Sequence, residues 1–204
     1  MTTATAATPA TSYPVTYDVQ YPGELSRWLP LVKWLLAIPH LVILYALGAA
    51  AGIVTFIAFF IILFTKRYPK ELFDFVVNVN RWTENVYAYV FLMRDEYPPF
   101  SWERGRYPVT YEVAYPEELS RWLIFVKWLL AIPHYIIMLF LFIGQGLALF
   151  VAFFAILFTK KFPDSLFNFV VGADRWRVRV SAYTNLMRDE YPPFSMQAVT
   201  SRKE

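Results

Sequence analysis

The stretch Lys33-Trp-Leu-Leu-Ala-Ile-Pro-His40 opens a long apolar run, and the same letters return 94 positions later at residues 127–134. Tyr13-Pro-Val-Thr-Tyr17 and other strings return at the same spacing. A repeat of this length indicates a duplicated domain rather than a short solenoid unit. Two copies so similar are expected to occupy the same environment.

Each copy contains one uncharged segment, residues 34–65 in the first and 128–159 in the second. The whole chain is 57% hydrophobic and 17% charged, whereas soluble domains are about 45–50% apolar and about 25% charged. An apolar run of this length is typical of a segment embedded in a membrane. The sequence therefore predicts an integral membrane protein.

The charges at the ends of the run suggest how often it crosses. Lys and Arg flank both ends in both copies, and such residues gather on the cytoplasmic side of a membrane. One crossing per copy would invert the second copy. We therefore predict a transmembrane helical hairpin over about 25–65 and again over about 119–159, with a glycine turn at Gly48 and Gly52 in the first. A re-entrant or monotopic hairpin and one long helix per copy stay open.

The segments beside the apolar run are more polar. Residues 13–21 alternate apolar and polar side chains, which predicts a short extended or strand-like segment. Residues of about 69–93 and 163–187 place apolar side chains at steps of three and four, with polar residues opposite. This pattern predicts an amphipathic helix at the membrane surface or against a partner.

These segments define the predicted organisation of a mainly α-helical membrane protein. Repeat 1 covers residues 13–101 and repeat 2 covers 107–195, with 102–106 as the linker. Residues 1–12 are small and polar, which predicts a disordered leader rather than a signal peptide. Residues 196–204 are interpreted as a polar tail.

Long strings in both copies closely resemble a family of bacterial, largely actinobacterial, membrane proteins that is catalogued as domain of unknown function 4389. Besides the strings quoted above, the resemblance rests on Leu25-Ser-Arg-Trp-Leu29, Leu72-Phe-Asp-Phe-Val-Val77 and Tyr97-Pro-Pro-Phe100. It implies a bacterial membrane protein that is often duplicated. It implies no established activity and no functional residue.

His40 and His134 are the only histidines of the chain, and each follows a proline. Polar residues at membrane depth are functional candidates, and neutral imidazole ligates metals and haem. We interpret both histidines as bonded to the backbone or to lipid headgroups, and we predict no cofactor. Haem or chlorin held between them is the alternative.

Other candidate residues lie near the expected membrane surface. Arg27 and Lys33, with Arg121 and Lys127 in the second copy, are predicted to contact lipid headgroups, as ordinary anchors or as a phosphate pocket. The stripe of each amphipathic helix carries Trp82 or Trp176, which predicts an interfacial or partner surface.

The sequence offers few other candidates for catalysis or metal binding. The adjacent carboxylates of Asp95 and Glu96 are interpreted as a solvated helix end. The chain has no cysteine, which excludes thiolate sites, and it shows no nucleophile elbow, HExxH or phosphate-binding loop. We therefore predict no catalytic residue and no metal site. The absence of a clustered basic patch argues against nucleic acid as a partner.

These observations predict a non-enzymatic scaffold or accessory subunit of a membrane complex. Its expected partners are membrane lipids and other membrane proteins or a second copy of itself. We expect a multi-pass protein of the bacterial cytoplasmic membrane, with both termini and the linker cytoplasmic. A small transporter or channel is one alternative. A cofactor-carrying or lipid-modifying protein that uses His40 and His134 is the other.

Overall fold

The computed structural model describes residues 13–198, which form two copies of one strand and three helices. In chain order the elements are β1 (Val15–Val19), α1 (Leu29–Leu36), α2 (Ile38–Thr65), α3 (Lys70–Val90), β2 (Val109–Val113), α4 (Leu123–Leu130), α5 (Ile132–Thr159) and α6 (Asp164–Thr184). The repeat in the sequence is thus a repeat of structure. The predicted disordered leader and the last six residues of the predicted tail lie outside the described residues.

The apolar run of each copy is one long helix, so the predicted hairpin is wrong. Helix α2 continues through Gly48 and Gly52, and α5 continues through Gly144 and Gly146. A glycine inside a helix costs only about 1 kcal/mol relative to alanine, and no Pro, Asn or Asp stands nearby to end the helix. Of the alternatives that the sequence left open, the structure has one long helix per copy.

The chain reverses after α2 rather than within it. Lys66 adopts a left-handed backbone with φ of 62° and donates its N–H to the carbonyl of Ile62. Pro69 follows as the N-cap of α3. Helix α3 then returns antiparallel along α2, since Trp82, past the middle of α3, reaches His40 at the start of α2. Each copy is therefore an antiparallel helix pair.

Helices α3 and α6 lie within the two ranges predicted to be amphipathic helices. Their side chains are buried on more than one face, however, including polar ones such as Arg81, Glu84 and Arg179. The reason is that the long apolar helices cover one face and the strands cover another. These helices form the middle layer of the molecule and are not at its surface.

The two strands form a single antiparallel sheet, with Tyr17 opposite Tyr111 at its centre. Burial alternates along β1, where Val15 and Val19 point inward and Asp18 is exposed, as expected for a strand with one covered face. The central pair places a pseudo-twofold axis through the sheet, perpendicular to its plane. The alternation that predicted an extended segment is thus explained.

Each strand packs mainly on the middle helix of the other copy. Strand β1 contacts α6, and β2 contacts α3. Arg175 in α6 donates its Nε–H to the carbonyl of Tyr17 at 2.9 Å, and Arg81 in α3 donates to the carbonyl of Tyr111 at 3.3 Å. The first copy's strand therefore completes the second copy, and the linker brings β2 back onto the first.

The pseudo-twofold axis makes α2 and α5 antiparallel to each other. Tyr115 donates its hydroxyl to the carbonyl of Tyr68, just past the end of α2. At the same end of the sheet, where Ala114 pairs with Pro14, the neighbouring Tyr13 donates to a carbonyl that lies beyond the end of α6. The end of α2 and the start of α5 therefore lie on the same side of the molecule.

The molecule thus has three layers, with the sheet on one side, α3 and α6 in the middle, and the apolar helices on the other side. Ile38–Thr65 and Leu123–Thr159 are long and apolar enough to cross a membrane, yet only 17% of the most apolar part of each is buried. Most of the apolar surface of these helices faces away from the protein.

The central tyrosines test the importance of the strand pairing. Tyr17 is buried, whereas Thr16 beside it is exposed. Because replacing a buried aromatic side chain by alanine costs about 3–5 kcal/mol, we expect Tyr17→Ala and Tyr111→Ala each to lower the melting temperature strongly. Thr16→Ala is the matched control, with little effect. Circular dichroism of the purified protein in detergent measures the difference, and equal melting of Tyr17→Ala and its control would contradict this role.

Candidate functional site

Each histidine lies in an aromatic cage at the start of a long helix. Trp82 donates its indole N–H to Nδ1 of His40 at 3.2 Å. The ring of Phe100 stacks on the imidazole, with the centroids 3.9 Å apart and an angle of 13°. Tyr97 closes another side, with its ring centroid at 4.9 Å. Because Pro39 stands in the first turn of α2, where its missing N–H costs nothing, the helix begins cleanly at this site.

The second copy has the same cage. Trp176 donates to Nδ1 of His134 at 2.9 Å, and Phe194 stacks on the imidazole at 4.1 Å with an angle of 12°. Tyr191 lies 4.9 Å away, as Tyr97 does in the first copy. The two cages lie at opposite ends of the molecule, because α2 and α5 are antiparallel.

This geometry fits a structural histidine better than a cofactor ligand. Since Nδ1 of His40 and His134 accepts from an indole, each neutral ring carries its proton on Nε2. Nε2 of both rings is buried, and in the first copy the backbone carbonyl of Pro98 lies beside the His40 ring. Neither nitrogen therefore offers a free lone pair, and the opposite positions of the cages do not suit one haem or chlorin held between them.

Lys33 and Lys127, predicted to contact lipid headgroups, lie inside the protein. Lys33 is 1% exposed, its Nζ lies 2.8 Å from Oδ1 of Asp95, and it donates to the carbonyl of Arg94 at 2.6 Å. Lys127 makes the same ion pair with Asp189. The inward face of the short helices α1 and α4 carries these lysines, so their charge holds the helix to the chain after α3 or α6.

The carboxylate of Asp95 was interpreted from the sequence as part of a solvated helix end, but in the structure Asp95 and its equivalent Asp189 pair with the buried lysines. The other oxygen of Asp95 accepts the backbone N–H of Ser26 at 2.6 Å, and Asp189 accepts that of Ser120 at 2.5 Å. Each carboxylate thus fixes the start of a short helix as well as its lysine. The signal in the sequence was that Lys and Asp both recur at identical places in the repeat.

Of the four cations assigned to headgroups, Arg27 and Arg121 are exposed. Arg121 donates to the carbonyl of Phe64 at 3.0 Å, close to the end of α2. Their guanidinium groups remain available to an anion at the surface. The headgroup contact stays a prediction for these two arginines.

Trp82 and Trp176 are not at the surface, which corrects their predicted placement at an interface or partner site. Trp82 is 5% exposed and Trp176 is 7% exposed. Their apolar stripe faces α2 or α5 of the same copy, where each indole finds a histidine. The helical period identified the apolar face correctly, but the protein itself covers that face.

An ion cluster between the two middle helices was also missed. Arg177 in α6 donates to Oε2 of Glu84 in α3 at 2.5 Å and to Oδ1 of Asp174 at 3.0 Å. Burial raises the pKa of Glu84, while Arg177 opposes that rise. Burial alone would lower the pKa of Arg177, but the two carboxylates raise it well above its ordinary value. The charges compensate one another inside the protein, which suits a structural role.

The polar groups of this site hold helices and strands together. The fold and its two cages define a tandem-duplicated, mainly helical protein with two helices able to cross a membrane by length and composition. A model of the domain of unknown function DUF4389 matches residues 28–101 and 121–196. The chain belongs to this family, in two tandem copies, which confirms the resemblance. Comparison with curated proteins and with solved structures gives no match.

The cages are tested by removing the indole donor. Trp82→Phe and Trp176→Phe keep an aromatic ring but leave a buried Nδ1 unpaired, which costs about 1–3 kcal/mol. We expect both variants to unfold at a lower temperature in detergent. Trp34→Phe, at an exposed position, is the control. Nitrogen-15 NMR of the imidazoles should find the proton on Nε2, and a proton on Nδ1 would contradict the assigned hydrogen bond.

The ion cluster is tested by removing its cation. Arg177→Met leaves Glu84 and Asp174 buried without a partner, and such a loss costs about 3–5 kcal/mol. We expect strong destabilisation in a thermal melt. Adding Glu84→Gln and Asp174→Asn removes the unpaired charges and should recover part of the loss. If the triple variant were as unstable as Arg177→Met, packing and not charge would explain the effect.

Proposed function

We propose that this protein is a non-enzymatic membrane protein that serves as a scaffold or accessory subunit of a membrane complex. We place it in the bacterial cytoplasmic membrane, with both termini and the linker on the cytoplasmic side. The observation that carries the proposal is the opposite character of the two outer layers. One is an apolar helical face and the other is a polar sheet.

The apolar side supports contact with lipid. Large side chains of α2 and α5 point outward without cover, among them Tyr45, Phe56, Phe140 and Phe150. Soluble monomers rarely expose a contiguous apolar patch of more than about a few hundred Å². Two helices of 28 residues exceed that limit by a wide margin. Lipid is the environment that accepts such a surface without a second protein.

The polar groups support a non-enzymatic role. The side chains that looked chemically active in the sequence are engaged within the fold, as His40 is with Trp82 and Lys33 is with Asp95. Among residues 13–198 no group of three or more His, Cys, Asp or Glu side chains is arranged to hold a metal ion. These contacts favour a protein that positions other molecules.

The sheet side supports binding of a water-exposed partner. Thr16, Asp18 and Thr110 are exposed along the strands, and the linker adds exposed charges at Glu103 and Arg104. Such a mixed polar face suits a protein surface that exchanges hydrogen bonds with a partner. The partner is another membrane protein or a second copy of this chain.

The alternatives find less support. A transporter or channel needs polar groups at membrane depth. Apart from the two caged histidines and from Tyr45 and Tyr135, the interiors of the apolar runs offer only Thr55 and Gln145, at positions that are not equivalent. A cofactor carrier or lipid-modifying enzyme needs a free histidine nitrogen, which the two cages do not offer. No observation in the described residues favours either over a scaffold.

Site-specific photo-crosslinking in native membranes tests the proposal. A photoreactive residue at Thr16 or Thr110 is expected to form a discrete protein adduct, because these positions face water and a partner. The same residue at Phe56 or Phe150, both exposed on the apolar side, is expected to form lipid adducts. Mass spectrometry identifies both kinds of product.

The same preparation separates the alternatives. Protein adducts at Phe56 and not at Thr16 would identify the apolar side as the partner surface and contradict the proposed arrangement. Release of the protein from membranes by an alkaline carbonate wash would contradict a membrane location. A visible absorption band of the purified protein would favour the cofactor carrier instead.

A further inference from the structure

We infer that the long apolar helices lie in the plane of the membrane, so that the protein inserts into one leaflet and does not cross the bilayer. This inference rests on the proposed membrane function and adds the orientation and the depth. The surface that contacts lipid is formed by α1, α2, α4 and α5. The sheet faces the water of the same side.

The first argument is that the strands run along the full length of the middle helices. Contacts of β1 and its flanks with α6 and the residues beside it occur at the far end, the middle and the beginning of the helix, namely Tyr13 to Glu190, Tyr17 to Arg175 and Tyr21 to Phe162. The second copy repeats the pattern along α3. The strands and the middle helices are therefore side by side over their whole length.

The axes of the long helices α2 and α5 follow the same direction as the strands and the middle helices. Trp82 of α3 meets His40 near the start of α2, and in the second copy the ring of Phe169, early in α6, lies against Gly144 in the middle of α5. The helix pairs are thus antiparallel along their length. If α2 stood across the bilayer, the sheet beside α3 would stand across it too.

A sheet of this kind does not fit within lipid. It has two strands and two open edges, and unpaired backbone groups at an edge find no partner in hydrocarbon. Its outer side also carries Asp18, which pairs with Arg175, and Glu112, which pairs with Arg81 and Arg104. Such charges are costly at membrane depth. Water on the sheet side requires the three layers to stack along the membrane normal.

The second argument is the distribution of positive charge. Exposed Lys66 and Arg67 follow α2, and exposed Lys160 and Lys161 follow α5. Because α2 and α5 are antiparallel, two crossing helices would place one pair of cations on each side of the membrane, against the positive-inside rule. In-plane helices place all four cations at one surface, where anionic phosphates of the cytoplasmic leaflet attract them.

The indoles of the short helices agree with this orientation. Trp28 and Trp34 of the α1 region and Trp122 and Trp128 of the α4 region are all exposed. Tryptophan prefers the boundary between headgroups and acyl chains. In the in-plane arrangement all four lie in the lipid-facing layer close to the cations, as required for insertion at a headgroup boundary.

Depth measurements along one helix test the inference, and the chain has no native cysteine to interfere. Val42, Ile53 and Phe64 all face outward on α2 and extend over about 33 Å of helix, which is close to the roughly 30 Å of the hydrocarbon core. Spin labels at Val42→Cys, Ile53→Cys and Phe64→Cys in liposomes of phosphatidylethanolamine and phosphatidylglycerol report depth through oxygen and nickel relaxation.

We expect the three labels to lie at similar depths in one leaflet. The equivalent outward positions of the second copy, Ile136, Leu147 and Phe158, form the matched set and should repeat the result. A label at Ile53→Cys near the bilayer centre, with the other two at opposite surfaces, would overturn the inference and leave the proposed membrane function intact. Labels that all sense water would contradict the membrane function itself.

Side-specific labelling gives an independent test with substitutions at exposed polar sites. An impermeant maleimide is applied to spheroplasts and to inverted vesicles that contain Arg67→Cys, Arg104→Cys or Lys161→Cys. We expect all three to react only in inverted vesicles. If the helices crossed the bilayer, Arg67→Cys would react on the opposite side from the other two, because residue 67 lies at the far end of the molecule.

Discussion

The antiparallel pairing of one strand from each copy is the constraint on which the remaining structure depends. With Tyr17 opposite Tyr111, the pseudo-twofold axis that relates the copies must be perpendicular to the sheet. The helices beneath the sheet are then antiparallel across the axis. The C-terminal ends of α2 and α5, which are followed by exposed cations, therefore lie at opposite sides of the molecule. Both copies can share one environment only if that environment extends along the plane of the helices.

The position of α3 and α6 in a middle layer determines what their polar residues do. A polar group between two packed layers must be paired inside the protein, because an unpaired buried donor or acceptor costs more than a hydrogen bond contributes. Arg81 and Arg175 therefore donate to strand carbonyls, and Arg177 neutralises Glu84. The first two arginines thus connect the middle helices to the sheet, and the ion pair connects the two middle helices to each other.

Local sequence patterns predicted the strands and the middle helices, whereas features that depend on long-range contacts were not predicted. Alternation along residues 13–21 and the helical period of α3 gave the right structure, because each depends on near neighbours in sequence. The hairpin prediction failed because cations at both ends of the apolar run were taken to mean that both ends lie on the same side of a bilayer. That placement would require the chain to turn back within the run. The packing of α2 against Trp82 could not be predicted either. A periodic apolar stripe identifies the apolar face of a helix but not the element that packs on that face.

One pair of differences between the copies is explained by the pseudo-twofold axis. In an unchanged duplicate, a residue near the axis faces its own equivalent, so an arginine there would face an arginine. The chain instead has Thr83 where the second copy has Arg177, and Glu84 where the second copy has Val178, which creates one compensated ion pair across the copies. Far from the axis, His40 and its equivalent keep identical cages, because each cage is completed within its own repeat and nothing there requires the copies to differ.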